Sequence, residues 1–256
     1  MPYKIQSHAS LIVVFIISVI GLIIAQNGTG RTTPKDTKTK QRTLPIVEFN
    51  SPEPTDDKIR AKRRENSARY DGSSSQPIQD VPSISGRIWA PHWSNGIAAL
   101  PVSRSDAVVT AVVTSANAYF SNDKTAVYSE FSAQIDEVLK DTSSSLAART
   151  LIPLERFGGA VRFPSGAVQE FFATGQGMPL VSHRYLFFLK KEPYDSFTII
   201  TGYELGETVL PLDGAAVEEG RGAYAFDKYD GFDTTEFLQI VRTAIAPAAL
   251  QTGTKP

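Results

Sequence analysis

Outside the apolar N-terminal segment, two of the three histidines, four scattered glutamates and an acidic run near the C-terminus are the residues whose types could support catalysis or metal binding. His92 and His183 lie far apart, and histidine-assisted hydrolysis needs its nucleophile on a strained turn beside the base. Phe163-Pro164-Ser165-Gly166 reads as an ordinary turn, without the G-x-S-x-G pattern of a nucleophile elbow. His183-Arg184 precedes an apolar run, where a strand-end hydrogen bond or a rim charge is the simpler role. Glu155, Glu170, Glu204 and Glu207 could supply the carboxylate pair that glycoside hydrolysis requires at a set separation. Asp227, Asp230, Asp233 and Glu236 surround Gly231, but their spacing misses the calcium-loop pattern, and Asp233 with Glu236 suits the start of a helix. The absence of cysteine excludes disulfides, zinc ribbons, iron–sulfur clusters and thiol nucleophiles. The expectation is therefore no catalytic, cofactor-binding or metal-binding constellation, and no cofactor.

Binding residues are a separate matter. Trp89, Trp93, Phe171, Phe172, Tyr185 and Tyr203 could line a flat apolar platform for a glycan or peptide, or simply fill a core. Trp89-Ala90-Pro91-His92-Trp93 stands outside any strict alternation, so Trp89, His92 and Trp93 are the expected binding surface. Lys58, Arg60, Lys62, Arg63 and Arg64 fall in KIRAKRRENSAR (58–69), a stretch able to form a transient helix. Contact with anionic lipid or polymer, or a processing site, would use these cations; a solvated charged stretch needs none of that. Residues 26–85 carry eleven Lys/Arg against eight Asp/Glu, and 86–256 carry fourteen against nineteen. Neither balance amounts to the dense basic face of a nucleic-acid binder, so no nucleic-acid partner is expected.

The elements that would position these residues change in kind along the chain. Leu11–Ala25 is fifteen uncharged residues, LIVVFIISVIGLIIA, behind a short polar start with Lys4. Nothing in the next sixty residues could shelter it in a core, so residues 9–25 are read as the contact with a membrane, and 1–25 as a signal peptide or transmembrane anchor. Both remain open: fifteen helical residues reach roughly 22 Å against about 30 Å of hydrocarbon, while Ile23 is bulky for a cleavage site before Gln26. Arg31, Lys35, Lys38, Lys40 and Arg42 follow the segment and argue for a cytoplasmic C-terminal part; the position of a signal-type segment argues for export, which is favoured here. Residues 26–85, punctuated by prolines and poor in large aliphatics, are expected to be a disordered linker, and 248–256 a disordered tail.

From Asp106 the hydrophobic period becomes two. Val127, Phe131, Ala133, Ile135 and Leu139 alternate with polar residues, and Ser121-Asn122-Asp123-Lys124 supplies a turn, so Asp106–Phe120 and Thr125–Leu139 should form a long hairpin. Strands are expected over 150–157, 160–163, 167–173, 185–189, 197–203 and 208–212. A final helix would start at Asp233 and run to Pro247 on the apolar stripe Phe237, Leu238, Val241, Ala244, Ile245. Residues 86–247 thus read as a mainly β domain, a small antiparallel β-barrel or sandwich with one C-terminal helix packed on an opening. An N-terminal apolar helix and the linker would precede it.

The entry Asp106-Ala107-Val108-Val109 and the exit Ile135-Asp136-Glu137-Val138-Leu139-Lys140 of residues 106–140 resemble the opening hairpin of netrin-type modules, the OB-like barrels of tissue inhibitors of metalloproteases and bacterial relatives. The resemblance implies an OB-like barrel and assigns no ligand, and the disulfide-bonded cysteines that open those modules have no counterpart here. The functional expectation is a noncatalytic, envelope-located binding or interaction module, with a protein or glycan partner. Its alternative is a carboxylate-dependent hydrolase in the same compartment. Convergence of two or more of Glu155, Glu170, Glu204, Glu207 and His183 in one concave pocket would favour the hydrolase; an exposed aromatic strip would favour binding.

Overall fold

The computed structural model describes residues 44–80, 87–88, 96–214 and 224–246. In chain order the first elements are β1 (Ile46–Glu48), α1 (Asp57–Ala68), β2 (Arg87–Ile88), β3 (Ala107–Phe120), β4 (Val127–Asp141) and β5 (Leu151–Phe157). There follow β6 (Gly159–Arg162), β7 (Val168–Phe171), β8 (Arg184–Lys191), β9 (Phe197–Leu205), β10 (Val209–Pro211) and α2 (Thr234–Ile245).

β3 and β4 make the expected hairpin, paired from Ala107 opposite Asp141 to Phe120 opposite Val127 with register shifts after Val108, Thr110 and Val113. Its tip is set by one side chain. Asp123 Oδ1 accepts from Thr125 N at 3.0 Å, Thr125 Oγ1 at 2.7 Å and Ser121 Oγ at 2.8 Å, and Lys124 takes φ 56°. β4 pairs on with β5, β3 with β8, and β8 with β9, all antiparallel. β9 then begins parallel to β5, through Leu154 opposite Phe197 and Glu155 opposite Thr198, which brings the sheet round into a ring. β10 extends the last part of β9, giving a six-stranded sheet.

Alternation decides which side chains fill the ring. Val109, Ala111 and Val113 from β3, Phe131, Ala133 and Ile135 from β4, and Tyr185, Phe187 and Leu189 from β8 share one buried cluster with Leu154, Phe197 and Ile199. Their neighbours Val108, Leu186 and Phe188 turn the other way and pack with Phe237, Leu238 and Val241 of α2. The helix therefore lies against the outer wall of the sheet, whereas the sequence reading places it over an opening. The reason is written in β3 and β8, which are apolar on both faces and need cover on both. A register shift between Phe188 and Leu189 exchanges the faces of β9: Phe197 and Ile199 point inward, Tyr203 and Leu205 outward under α2. Asp233 starts α2 as expected, accepting from Thr235 N at 2.9 Å and Glu236 N at 3.0 Å.

A second sheet, ordered β1-β6-β7-β2, covers the far end of the hairpin. Val47, Val161, Phe163 and Phe171 meet Ala118 and Val127 there, with Ile78. The chain leaves β5 for this sheet through Gly158 and Gly159, at φ 103° and 153°. A Cβ on Gly158 would stand 2.6 Å from the Phe171 carbonyl oxygen, and one on Gly159 would stand 2.8 Å from Val127 Cγ1. Only glycine fits this crossing.

Residues 44–80, which composition assigns to a disordered linker, are folded onto the domain. Leu44, Val47 and Ile78 are buried, β1 pairs with β6, and α1 is capped by Asp56 through Lys58 N at 2.9 Å and Ile59 N at 3.0 Å. Composition misleads here because the helix docks through polar and aromatic contacts: its buried residues are Asn66 and Ser67, while Ile59 is 54 % exposed. The expected signal or anchor (1–25), residues 26–43 and 81–86 of the linker and domain start, and the tail (248–256) lie outside the described residues. Among the described residues no helix is long and apolar enough to cross a membrane.

Candidate functional site

α1 and the hairpin tip enclose a cleft of about 430 Å³. One wall is a single helix face, because Arg60, Arg63, Arg64 and Ser67 recur at the i, i+3, i+4, i+7 spacing. The other wall is the end of β3 and its turn, with Tyr119, Phe120, Asn122 and Lys124. Glu53, Pro52 and Pro54, just before the helix, form the lip.

The four cations of the cleft are held in two different ways. Arg60 pairs with Asp57 and donates to Pro54 O at 3.3 Å. Arg64 Nη2 reaches both Glu53 oxygens at 3.1 and 2.8 Å. By contrast, the Arg63 guanidinium carbon lies 4.1 Å from the Tyr119 ring centroid, and Lys124 Nζ lies 5.0 Å from that of Phe49 and 5.6 Å from that of Phe120. No described carboxylate pairs with Arg63 or Lys124, so the aromatic faces carry them. Burial and the nearby Glu130 charge push the Tyr119 phenol up, against the opposing effect of Arg63. It stays a neutral hydroxyl at physiological pH.

The cleft keeps its shape because both walls are fastened. Asn122 Nδ2 donates to Arg64 O at 2.7 Å, and Gly72 N donates to Asp123 Oδ2 at 2.7 Å, tying the tip to the helix and the turn after it. Tyr70 stacks on Tyr128 with centroids 4.5 Å apart, and the Ser67 and Tyr128 hydroxyls are 3.0 Å apart. Arg69 pairs with Glu155, whose side chain is 1 % exposed, and reaches Glu192 at 3.2 Å. Burial holds the Glu155 carboxyl above its ordinary range, and Arg69 pulls it back only in part. Glu155 Oε1 is buried with no hydrogen-bond partner.

Farther along β5, Arg156 and Asp213 form a sealed pair at 2.7 Å, with side chains 1 % and 0 % exposed. Asp213 also accepts from Thr201 Oγ1 and Gly177 N, both at 2.8 Å. Nothing outside the protein reaches this pair; it welds β5, β9 and the chain after β10.

The residues singled out by sequence scatter. Trp89, His92 and Trp93 lie outside the described residues. His183 Nδ1 is 2.9 Å from Glu204 Oε1, and the Tyr185 hydroxyl is 3.5 Å from Glu204 Oε2. That contact sits on the sheet rim, with His183 42 % exposed, and none of its residues lines the cleft. Glu155 is buried against Arg69, and Glu207 is exposed before β10. Phe171, Phe172 and Tyr203 are core residues. Asp227 accepts from Tyr224 N at 2.9 Å and Asp233 caps α2, so these two members of the acidic run are engaged in local backbone bonds. Among the described residues no three His, Asp or Glu side chains gather as metal ligands would. The basic run 58–64 was visible in the sequence; its partners Tyr119, Phe120 and Lys124 were not, because the tertiary fold alone brings them across. In comparisons with known proteins, no family model and no curated sequence matches the chain.

Proposed function

We propose that this chain is a noncatalytic binding module of the cell envelope, placed there by residues 9–25 as anchor or export signal, and that the cleft between α1 and the hairpin tip receives its protein or glycan partner. One observation carries the binding reading: Arg63 and Lys124 face the cleft seated on aromatic rings, with no described carboxylate neutralising them. Two cations held this way keep their N–H donors for something outside the fold. The ring of five strands closed by one parallel pairing supports an OB-like barrel as the scaffold. The fifteen-residue uncharged run at 11–25 supports the location.

A fragment screen followed by backbone-amide NMR tests the site without presuming a ligand. Hits that shift the amides of Tyr119, Phe120, Asn122 and Lys124 support the reading. The hydrolase alternative has the His183–Glu204 contact in its favour, and hits gathering there instead would replace the binding module with it. Location is read separately, from a reporter fused after Pro256.

A further inference from the structure

The chemistry of the cleft narrows its ligand. We propose that it binds an oxyanion, a phosphate or carboxylate group, carried on an apolar ring; this rests on the reading of the cleft as the binding site.

Charge is the first ground. Of the cations that line the cleft, Arg64 is matched by Glu53 and Arg60 by Asp57, which leaves Arg63 and Lys124 as an unneutralised pair of positive charges. The nearest acid on the tip, Asp123, is already engaged: Oδ1 accepts from Ser121 and Thr125, and Oδ2 from Gly72 N. It has little left to offer Lys124. An entering anion would therefore meet two cations, and the one carboxylate in the described lining, Glu53, is already bonded to Arg64.

Geometry is the second ground. A guanidinium lying on a ring uses its face for the ring and keeps its N–H edge in the plane, where a carboxylate or phosphate can accept two parallel bonds. Arg63, its guanidinium carbon 4.1 Å from the Tyr119 centroid, is held over the ring before a ligand arrives, which lowers the entropy lost on binding. Lys124 is fixed in the same way from the backbone side, in a tip whose φ of 56° is locked by the Asp123 hydrogen bonds. Val47, Pro52, Pro54 and Phe120 give the cleft an apolar part beside its cations and the polar Ser51, Ser67, Ser121 and Asn122, and a bare ion would leave that part unused. Its volume of about 430 Å³ lies within the roughly 300–1,000 Å³ of small-ligand sites. It suits one ring and its acidic group.

The test uses the full chain in neutral detergent and four probes: phenyl phosphate, benzoate, inorganic phosphate and the uncharged benzyl alcohol. Saturable shifts of the 119–124 amides are expected with phenyl phosphate or benzoate, and the tighter of the two identifies the acidic group. Benzyl alcohol and inorganic phosphate should each bind at least about tenfold more weakly, since each lacks one half of the match. Lys124→Gln and Arg63→Gln should each weaken binding of the better probe by about tenfold, and Arg63→Lys by several-fold, because the charge survives and the fork does not. The hydrogen bonds that tie the turn to the helix run through Asn122 and Asp123 and not through the Lys124 side chain, so Lys124→Gln remains informative if the Arg63 variants unfold. Benzyl alcohol binding as tightly as phenyl phosphate would overturn the oxyanion while leaving the cleft as a binding site. Unchanged affinity in Lys124→Gln would overturn it too. If no probe moves these amides, and fragments also avoid them, the cleft reading falls with it.

Discussion

Replacing Arg69 with alanine removes the cation that faces Glu155, and the cost follows from where each partner sits. The Glu155 side chain is 1 % exposed and that of Arg69 is 28 % exposed. Deleting one member of a buried pair costs about 3–5 kcal/mol, because the survivor is a charge with nothing to compensate it. Water reaches the Arg69 side and can screen part of the loss, so about 3 kcal/mol is expected at neutral pH, or about 6–12 °C in Tm for a domain of this size. The pH dependence carries a definite sign. Burial raises the folded pKa of Glu155 above its ordinary 4.5, with Arg69 opposing. A raised carboxylate holds its proton more tightly in the native state, so the group's contribution falls as pH rises from the unfolded value through the folded one. Without Arg69 that folded value climbs further. The deficit of R69A is therefore largest near neutrality and contracts towards about pH 5, as Glu155 takes up its proton. Adding Glu155→Gln to R69A should recover about 1–2 kcal/mol at about pH 7, since an amide replaces the stranded charge. Urea unfolding followed by circular dichroism at both pH values measures all of this. A loss in R69A below about 0.5 kcal/mol, or a deficit unchanged on acidification, refutes the account of how α1 is fastened.

Three further outcomes are expected. Gly158→Ala should cost about 2–4 kcal/mol by urea midpoint, because its Cβ meets backbone at a φ of 103°; Gly166→Ala, at φ 85° with open space around it, should cost about 1 kcal/mol. Asp213→Asn should cost about 3–5 kcal/mol, since it removes the buried carboxylate that faces Arg156 at 2.7 Å. A chain starting at residue 86 should melt well below one starting at residue 44, because it uncovers Val127, Val161 and Tyr128; equal Tm values by calorimetry would return 44–80 to the status of a tether.

What a single sequence can yield here depended on how far apart the interacting residues are. The β3–β4 hairpin, the Asp233 cap and the apolar run of β8 were all readable, since alternation, turn residues and caps act within a few positions. The parallel closure of β9 on β5 and the face exchange in β9 were hidden: each depends on a pairing that no local period announces. The arm 44–80 departs from what its composition implies for a more specific reason. Counting aliphatic side chains is a sound guide to burial when the hydrophobic effect alone must offset ordering. In this arm Tyr70 on Tyr128, Ser67 at the Tyr128 hydroxyl and Arg69 at Glu155 contribute instead, and each partner lies more than fifty residues away. A helix docked by its polar end need not turn its cationic stripe to bulk water. Arg60, Arg63, Arg64 and Ser67 line the cleft for that reason, so the attachment that composition could not foresee is also what creates the candidate site.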